Sequence, residues 1–185
     1  MKPLLLCLAV LITGCAGMLP TANQDVSNRW KAFDDAKAAF DRILPYETTM
    51  ETVRELGFDP ASTPNVQILN HSQVVRMVLP SPLQERAAIP PGLLDCMKAQ
   101  DGCTGYFMEP SRINRERVGN FMLDFLNFKR DTRTTGWKFG ALIVVVGEKV
   151  VFKQWSGRPR IEETELRRNP LGPLQGVGES LRPGP

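Results

Sequence analysis

Residues 136–155 read GWKFGALIVVVGEKVVFKQW, and this stretch decides the fold. Its apolar period is two. Gly147-Glu148-Lys149 interrupts it as a three-residue loop containing glycine, so 136–146 and 150–155 are predicted to pair as an antiparallel hairpin. Working back toward the N-terminus, Thr104–Met108 reads as a short strand behind Cys103. Residues 120–130, NFMLDFLNFKR, read as a longer one. There Phe121, Leu123 and Phe125 line one face, and Met122, Asp124, Leu126 and Phe128 the other. Apolar groups on both faces predict a central strand covered at least partly on both sides.

The N-terminal part keeps a helical period. From Ser27, the residues Trp30, Phe33, Ala36, Phe40 and Ile43/Leu44 recur at three- and four-residue steps, with Lys31, Asp34, Asp35, Lys37 and Asp41 on the other face. Pro45 ends that helix. A second is expected to start at Thr48, capped with Glu51, to bury Met50, Val53 and Leu56, and to stop at Gly57 before Pro60. Residues 64–79 read as a short strand or extended piece followed by a helix that Ser72 could cap. Pro80, Pro82, Pro90 and Pro91 bracket an irregular connection, and Gly92–Gln100 is a short helix carrying Cys96. Helices first and antiparallel strands afterwards give an α+β class: an N-terminal helical hairpin packed on one face of a C-terminal antiparallel sheet of three to four strands. Residues 27–156 are expected to be the single domain. Residues 157–185, rich in Pro and Gly, are expected to be a largely disordered or surface-draped tail.

The chain opens MKPLLLCLAVLITGC. Lys2 supplies a positive n-region, and Leu4–Ile12 an apolar run too short for a bilayer-spanning helix, which needs about 20 residues. Small residues then lead to Cys15, the layout of an export signal. A cysteine at that place resembles the lipobox of bacterial lipoproteins. The resemblance implies that residues 1–14 are a removed signal and that Cys15 is the acylated first residue of the mature chain. The plainer reading is an ordinary secretory signal with Cys15 as a stray thiol. Two or more acyl chains hold a protein on a membrane, whereas one binds only marginally. Residues 15–26 then read as the lipidated tether, its eleven residues past Cys15 reaching at most roughly 36–40 Å.

Two further cysteines, Cys96 and Cys103, begin and end the stretch CMKAQDGC. After export they would sit in an oxidising compartment, where the Asp101-Gly102 turn lets them pair. A zinc site needs about four ligands, and the only histidine is His71. Redox pairs normally use closer spacing. The expected state is a structural disulfide. With 42% hydrophobic residues the chain can build a core, and 23 basic against 20 acidic residues is too near balance for a nucleic-acid partner.

Catalytic signals are missing. There is no G-x-S-x-G, H-E-x-x-H, P-loop or dinucleotide glycine fingerprint. No catalytic, metal-ligating or cofactor-binding residue is therefore nominated. His71 reads as a solvent-facing or helix-start histidine. Asp34/Asp35 and Glu162/Glu163 read as solvated neighbours rather than a working carboxylate pair. Asp124 stands inside an apolar run, so a salt bridge or hydrogen bond to Arg115, Arg117 or Lys138 is expected, with partner or ligand binding as the alternative. Trp137 and Trp155 are expected near the base of the hairpin, where the default role is cross-strand packing. Together with Lys153, Arg158 and Arg160 they also have the composition of a partner-binding surface. Arg158/Arg160 and Arg167/Arg168 could instead touch anionic head groups.

The pieces LITGC, TTMETVRELGFDP, NFMLDFLNFKR and GWKFGALIVVVGEKVVFKQW together resemble small outer-membrane lipoproteins of the SmpA/OmlA (BamE) type. Thr48, Met50, Val53, Leu56 and Gly57 carry the threonine-helix-Leu-Gly element. The segment from about 64 to 110 and the tail depart from that pattern. The resemblance implies a non-enzymatic, lipid-anchored protein on the outer membrane, facing the periplasm, that binds envelope proteins and supports β-barrel assembly or envelope integrity. Ala16, which is not aspartate, fits outer-membrane delivery. The runner-up is a carrier or sensor of a small hydrophobic or anionic ligand.

Overall fold

The structure, a computed structural model, describes residues 19–26, 29–79, 89–172 and 174. The signal segment, Cys15, residues 15–18 of the tether, Pro80, Pro82 and residues 175–185 of the tail lie outside the described residues.

The elements in chain order are β1 (Thr21–Asp25), α1 (Phe33–Asp41), α2 (Met50–Glu55), β2 (Gln67–Asn70), α3 (His71–Val78), α4 (Pro91–Ala99), a 3₁₀ turn (Gln100–Gly102), β3 (Cys103–Met108), β4 (Ser111–Val118), α5 (Phe121–Phe125), β5 (Lys129–Val146) and β6 (Lys149–Arg168). The class is mixed helix and sheet, as expected. The sheet has six strands rather than three to four, in the order β1-β4-β5-β3-β2, with β6 also paired to β5. Its β2–β3 and β3–β5 ladders are antiparallel, with Leu69 opposite Gly105 and Tyr106 opposite Ile143.

By its contacts the chain divides into two units. One comprises Gln24–Arg112 and Gly136–Ile161, the other Met1–Asn23, Ile113–Thr135 and Glu162–Pro185.

The Gln24–Arg112/Gly136–Ile161 unit holds the core. Here β5 buries both faces, because side chains alternate along a strand. Trp137, Phe139, Ala141, Ile143 and Val145 pack with Phe33, Ala36 and Phe40 of α1 and Met50 and Val53 of α2. Leu142 and Val144 pack with Val74 of α3 and Leu93 and Cys96 of α4. The helices therefore cover both faces of the sheet, not one. A mutually packed aromatic set fixes the first layer: the Phe139 ring lies 5.2 Å from Phe33, 5.7 Å from Phe40 and 6.4 Å from Phe58, and Trp30 is 4.7 Å from Phe58.

In place of the expected helical hairpin stand two short helices, α1 and α2. The cap of α2 is Thr49, whose hydroxyl accepts the Thr52 N–H at 3.4 Å, while Thr48 Oγ1 accepts the Leu44 N–H at 2.7 Å. Gly57, at φ +103°, ends that segment as only glycine does without strain. In α3 the cap is Asn70 in place of Ser72: Asn70 Oδ1 accepts from Gln73 N, and Gln73 Oε1 from Asn70 N, each at 3.0 Å. Gly92 lets α4 lie directly on β6, since a Cβ there would stand 1.8 Å from the Val151 carbonyl oxygen.

The other unit contains the largest departures from the sequence reading. Residues 120–130 do not form a central strand. Asn120 Oδ1 accepts from Met122 N and Leu123 N at 2.9 and 3.2 Å and starts α5, and Asn127, at φ 57°, turns the chain into β5 at Lys129. Two side chains that favour caps and left-handed turns thus override a run that looks like a strand. The expected tail is also corrected, because β6 continues to Arg168. The expected tether is shorter than read, since Thr21–Asp25 is strand β1 and pairs with β4.

Candidate functional site

Apolar side chains in the Met1–Asn23/Ile113–Thr135/Glu162–Pro185 unit are arranged the opposite way from a core. Among the described residues, every buried hydrophobic side chain of the protein belongs to the other unit. Here Met122 is 56% exposed, Phe125 70% and Leu174 66%, with Leu123, Leu126, Phe128 and Leu171 also exposed. The Phe121 and Phe125 rings stack at 5.7 Å on α5. The C-terminal turn is fixed beside them by the Asn169 N–H, which donates to the Phe128 carbonyl at 2.8 Å. Soluble surfaces rarely leave so many large apolar groups uncovered together, and where they do the patch marks an interaction site.

Among the described residues the side chains buried in this unit are instead polar, Asn169 and the acid Asp124. Asp124 accepts from Arg130 Nε at 3.0 Å through Oδ1 and from Arg117 Nη1 at 3.3 Å through Oδ2. Arg130 reaches Asn127 Oδ1 as well, at 3.4 Å. The expected salt bridge is present through Arg117 and a partner that was not anticipated, Arg130. Of the other two expected partners, Lys138 pairs with Glu109, and Arg115 does not reach Asp124.

Arg117 and Arg130 also line a cleft of about 310 Å³, together with Arg115, Arg167, Pro20 and Glu165. Strand periodicity explains the convergence. Arg115 and Arg117 are two apart on β4, and Glu165 and Arg167 two apart on β6, so each pair shares a face. Among the described residues no carboxylate pairs with Arg115 or Arg167 at ion-pair distance. The Pro20 carbonyl accepts the Arg117 N–H at 3.3 Å, so the chain emerging from the N-terminal segment is fastened to this cleft. Guanidinium groups in this number suit a multiply charged anion such as a phosphate, which takes paired N–H donors.

The residues nominated from the hairpin do not form one surface. Trp137 is buried in the core, its Nε1 donating to the Lys31 carbonyl at 3.1 Å. Lys153 Nζ donates to the Phe40 and Asp41 carbonyls at 3.0 and 3.1 Å and lies 4.8 Å from the Phe40 ring centre, closing the C-terminal end of α1. Burial pulls the Lys153 ammonium below the ordinary lysine range, against the Asp41 charge that holds it up. Trp155 is 45% exposed and stacks on Phe139 at 6.0 Å, with Lys37 Nζ 5.1 Å from its ring. Arg158 and Arg160 are exposed on β6. Trp155, Arg158 and Arg160 are therefore exposed, Trp155 with Lys37 beside its ring, while Trp137 and Lys153 build the fold.

Cys96 and Cys103 are disulfide-bonded, with Cα atoms 5.0 Å apart, tying α4 to the start of β3. Cys15 lies outside the described residues. His71 opens α3 with its Nε2 3.1 Å from Ser72 Oγ. Among the described residues no three His, Cys, Asp or Glu side chains are grouped to hold a metal. No helix among them is long and apolar enough to cross a membrane.

A second cleft, of about 300 Å³, lies within the Gln24–Arg112/Gly136–Ile161 unit between Arg29, Arg54 and Asp59. Asp59 Oδ1 accepts the Ala61 N–H at 3.0 Å. That bond, then those to Ser62, and the nearby Arg54 charge hold the Asp59 carboxyl below its usual range.

Sequence pattern nominates none of Arg115, Arg117 and Arg130 as members of a site, and it predicts Phe121–Phe128 inside a sheet. The available signal was Asn120, a capping residue ahead of a run with no polar face. The chain matches no protein-family model, no curated protein and no solved structure.

Proposed function

We propose that this chain is a non-enzymatic lipoprotein of the bacterial cell envelope, anchored to the outer membrane through Cys15 and facing the periplasm. It works by holding other envelope proteins, and its most specific form is an assembly factor that supports β-barrel insertion or envelope integrity. The observation that carries this reading is the LITGC sequence ending on Cys15, a short way before the fixed start of the fold. Pro20 is fastened to Arg117, so a lipidated Cys15 would hold this unit at most about 18 Å away along an extended chain. The Cys96–Cys103 disulfide supports the same compartment, since such bonds persist where it is oxidising. Trp155 and Lys37 are the side chains offered to a protein partner.

Cross-linking through a photoreactive residue at position 155 in intact cells tests the function. The expected result is a defined envelope protein captured there, together with raised outer-membrane permeability on deletion. Capture of no envelope protein, with unchanged permeability, would contradict it.

A second reading, a carrier or sensor of an anionic ligand, is favoured by the cleft between Arg115, Arg117, Arg130 and Arg167. Native mass spectra showing a small anion lost on Arg115→Gln would favour that reading.

A further inference from the structure

The exposed face of α5 and the arginine cleft are joined by one side chain. Asp124 faces inward from α5 onto Arg117 and Arg130, which line the cleft, while Met122 and Phe125 of the same helix face outward. From this juxtaposition we infer that the unit carries a membrane-docking surface: Phe125, Met122 and their apolar neighbours enter the interface of a lipid bilayer, and the cleft receives lipid phosphates. The inference rests on the anchored-lipoprotein reading for the membrane concerned, though its geometry stands without the anchor.

Three observations select a bilayer as the occupant. Charge complementarity is the first, because Arg115 and Arg167 have no carboxylate partner among the described residues and a bilayer surface presents phosphates in number. The second is the composition of the outward face, with phenylalanine, leucine and methionine beside Arg167 and Arg168 at the end of β6, which the Asn169–Phe128 hydrogen bond brings alongside, and beside Lys129, which is paired with Asp131. Apolar groups bordered by cations are what an interfacial element needs to sit at the boundary between headgroups and acyl chains. Third, Pro20 meets Arg117 at this same cleft, so the five steps back to Cys15 reach no more than about 18 Å. The acyl chains hold the protein at the surface but leave it free to turn, and a contact borne by the protein itself fixes its orientation there.

The test uses the full chain carrying Cys15→Ser, so that acylation contributes nothing, and sedimentation with vesicles of phosphatidylethanolamine and cardiolipin. The expected result is binding that weakens about tenfold in Phe125→Ser/Met122→Ser. Arg167→Gln should weaken it about fivefold, and neutral phosphatidylcholine vesicles should bind it less tightly still. Phe125, Met122 and Arg167 lie on the outside, so these variants keep the fold, and an unchanged melting temperature checks that. Binding indifferent to these substitutions and to lipid charge would overturn the inference. So would retention of inorganic phosphate in the cleft without vesicle binding, which marks a free-anion site. Phe125→Ser that dissolves a dimer without touching vesicle binding would assign the face to a second copy of the chain. Binding that emerges only after residues 175–185 are deleted would assign it to that segment. The anchor is scored separately by the mass of the mature chain, so each reading can fail alone.

Discussion

Asp124 and Phe125 are adjacent on α5 and opposite in environment: the carboxylate is 7% exposed and the phenyl ring 70%. Their order is the reverse of a normal amphipathic helix, and two arginines make it stable. Arg117 and Arg130 neutralise the buried acid, and their outer atoms remain wet at the cleft. Replacing Asp124 by Asn leaves two facing guanidinium groups without their counter-charge. The expected loss is about 1–3 kcal/mol of stability, below the figure for a fully buried pair because both arginines are partly exposed. Urea unfolding of the variant against the parent checks it, and an unchanged midpoint would show that the ion pair holds nothing.

The disulfide closes a short loop between α4 and β3. Replacing both Cys96 and Cys103 by Ser should cost about 2–3 kcal/mol on chain-entropy grounds, read as a lower melting temperature. Reductant should lower the melting temperature of the parent by a similar amount and leave the double variant unmoved.

Lys153 and Trp155 are close in sequence and separable in role. Lys153→Met removes two hydrogen bonds to the end of α1, so it should lower stability by about 1 kcal/mol. Trp155→Ser should chiefly remove partner capture. If Lys153→Met abolished capture while stability held, Lys153 would belong to the binding surface after all.

Acid tests the Asp59 turn. Its folded-state carboxyl lies below the unfolded value of 3.8, because the Ala61 and Ser62 groups donate to the charged form. A depressed carboxyl contributes stability that is complete above the unfolded value and lost as pH falls through the lower folded value. Asp59→Asn should therefore narrow the stability difference between neutral pH and pH below 3.8. A variant with the same acid sensitivity as the parent would remove Asp59 from the explanation.

What could be read from the sequence follows where side chains are buried. Trp30, Phe33, Ala36, Phe40 and Ile43 on helical spacing, and the strand from Trp137 to Val145, are all core, because burial imposes period on apolar residues. The same rule failed from Asn120 to Phe128. Those apolar residues are outside, nothing imposes a period on them, and their alternation does not mark a pleat. Strand β4 and the far half of β6 escaped notice for a related reason. Runs such as INRERV and EETELRR hold no buried side chain, and period-two hydrophobicity cannot appear there. The cleft was invisible because Arg115, Arg117, Arg130 and Arg167 come from three strands whose pairing no local pattern announces.

Intact mass of the mature protein purified from membranes bears most directly on the proposal that this is an anchored binding protein. The expected mass is that of a chain beginning at Cys15 with a diacylglyceryl group and an amide-linked acyl chain added. A mature chain starting elsewhere, or starting at an unmodified Cys15 and recovered free of membrane, would contradict it.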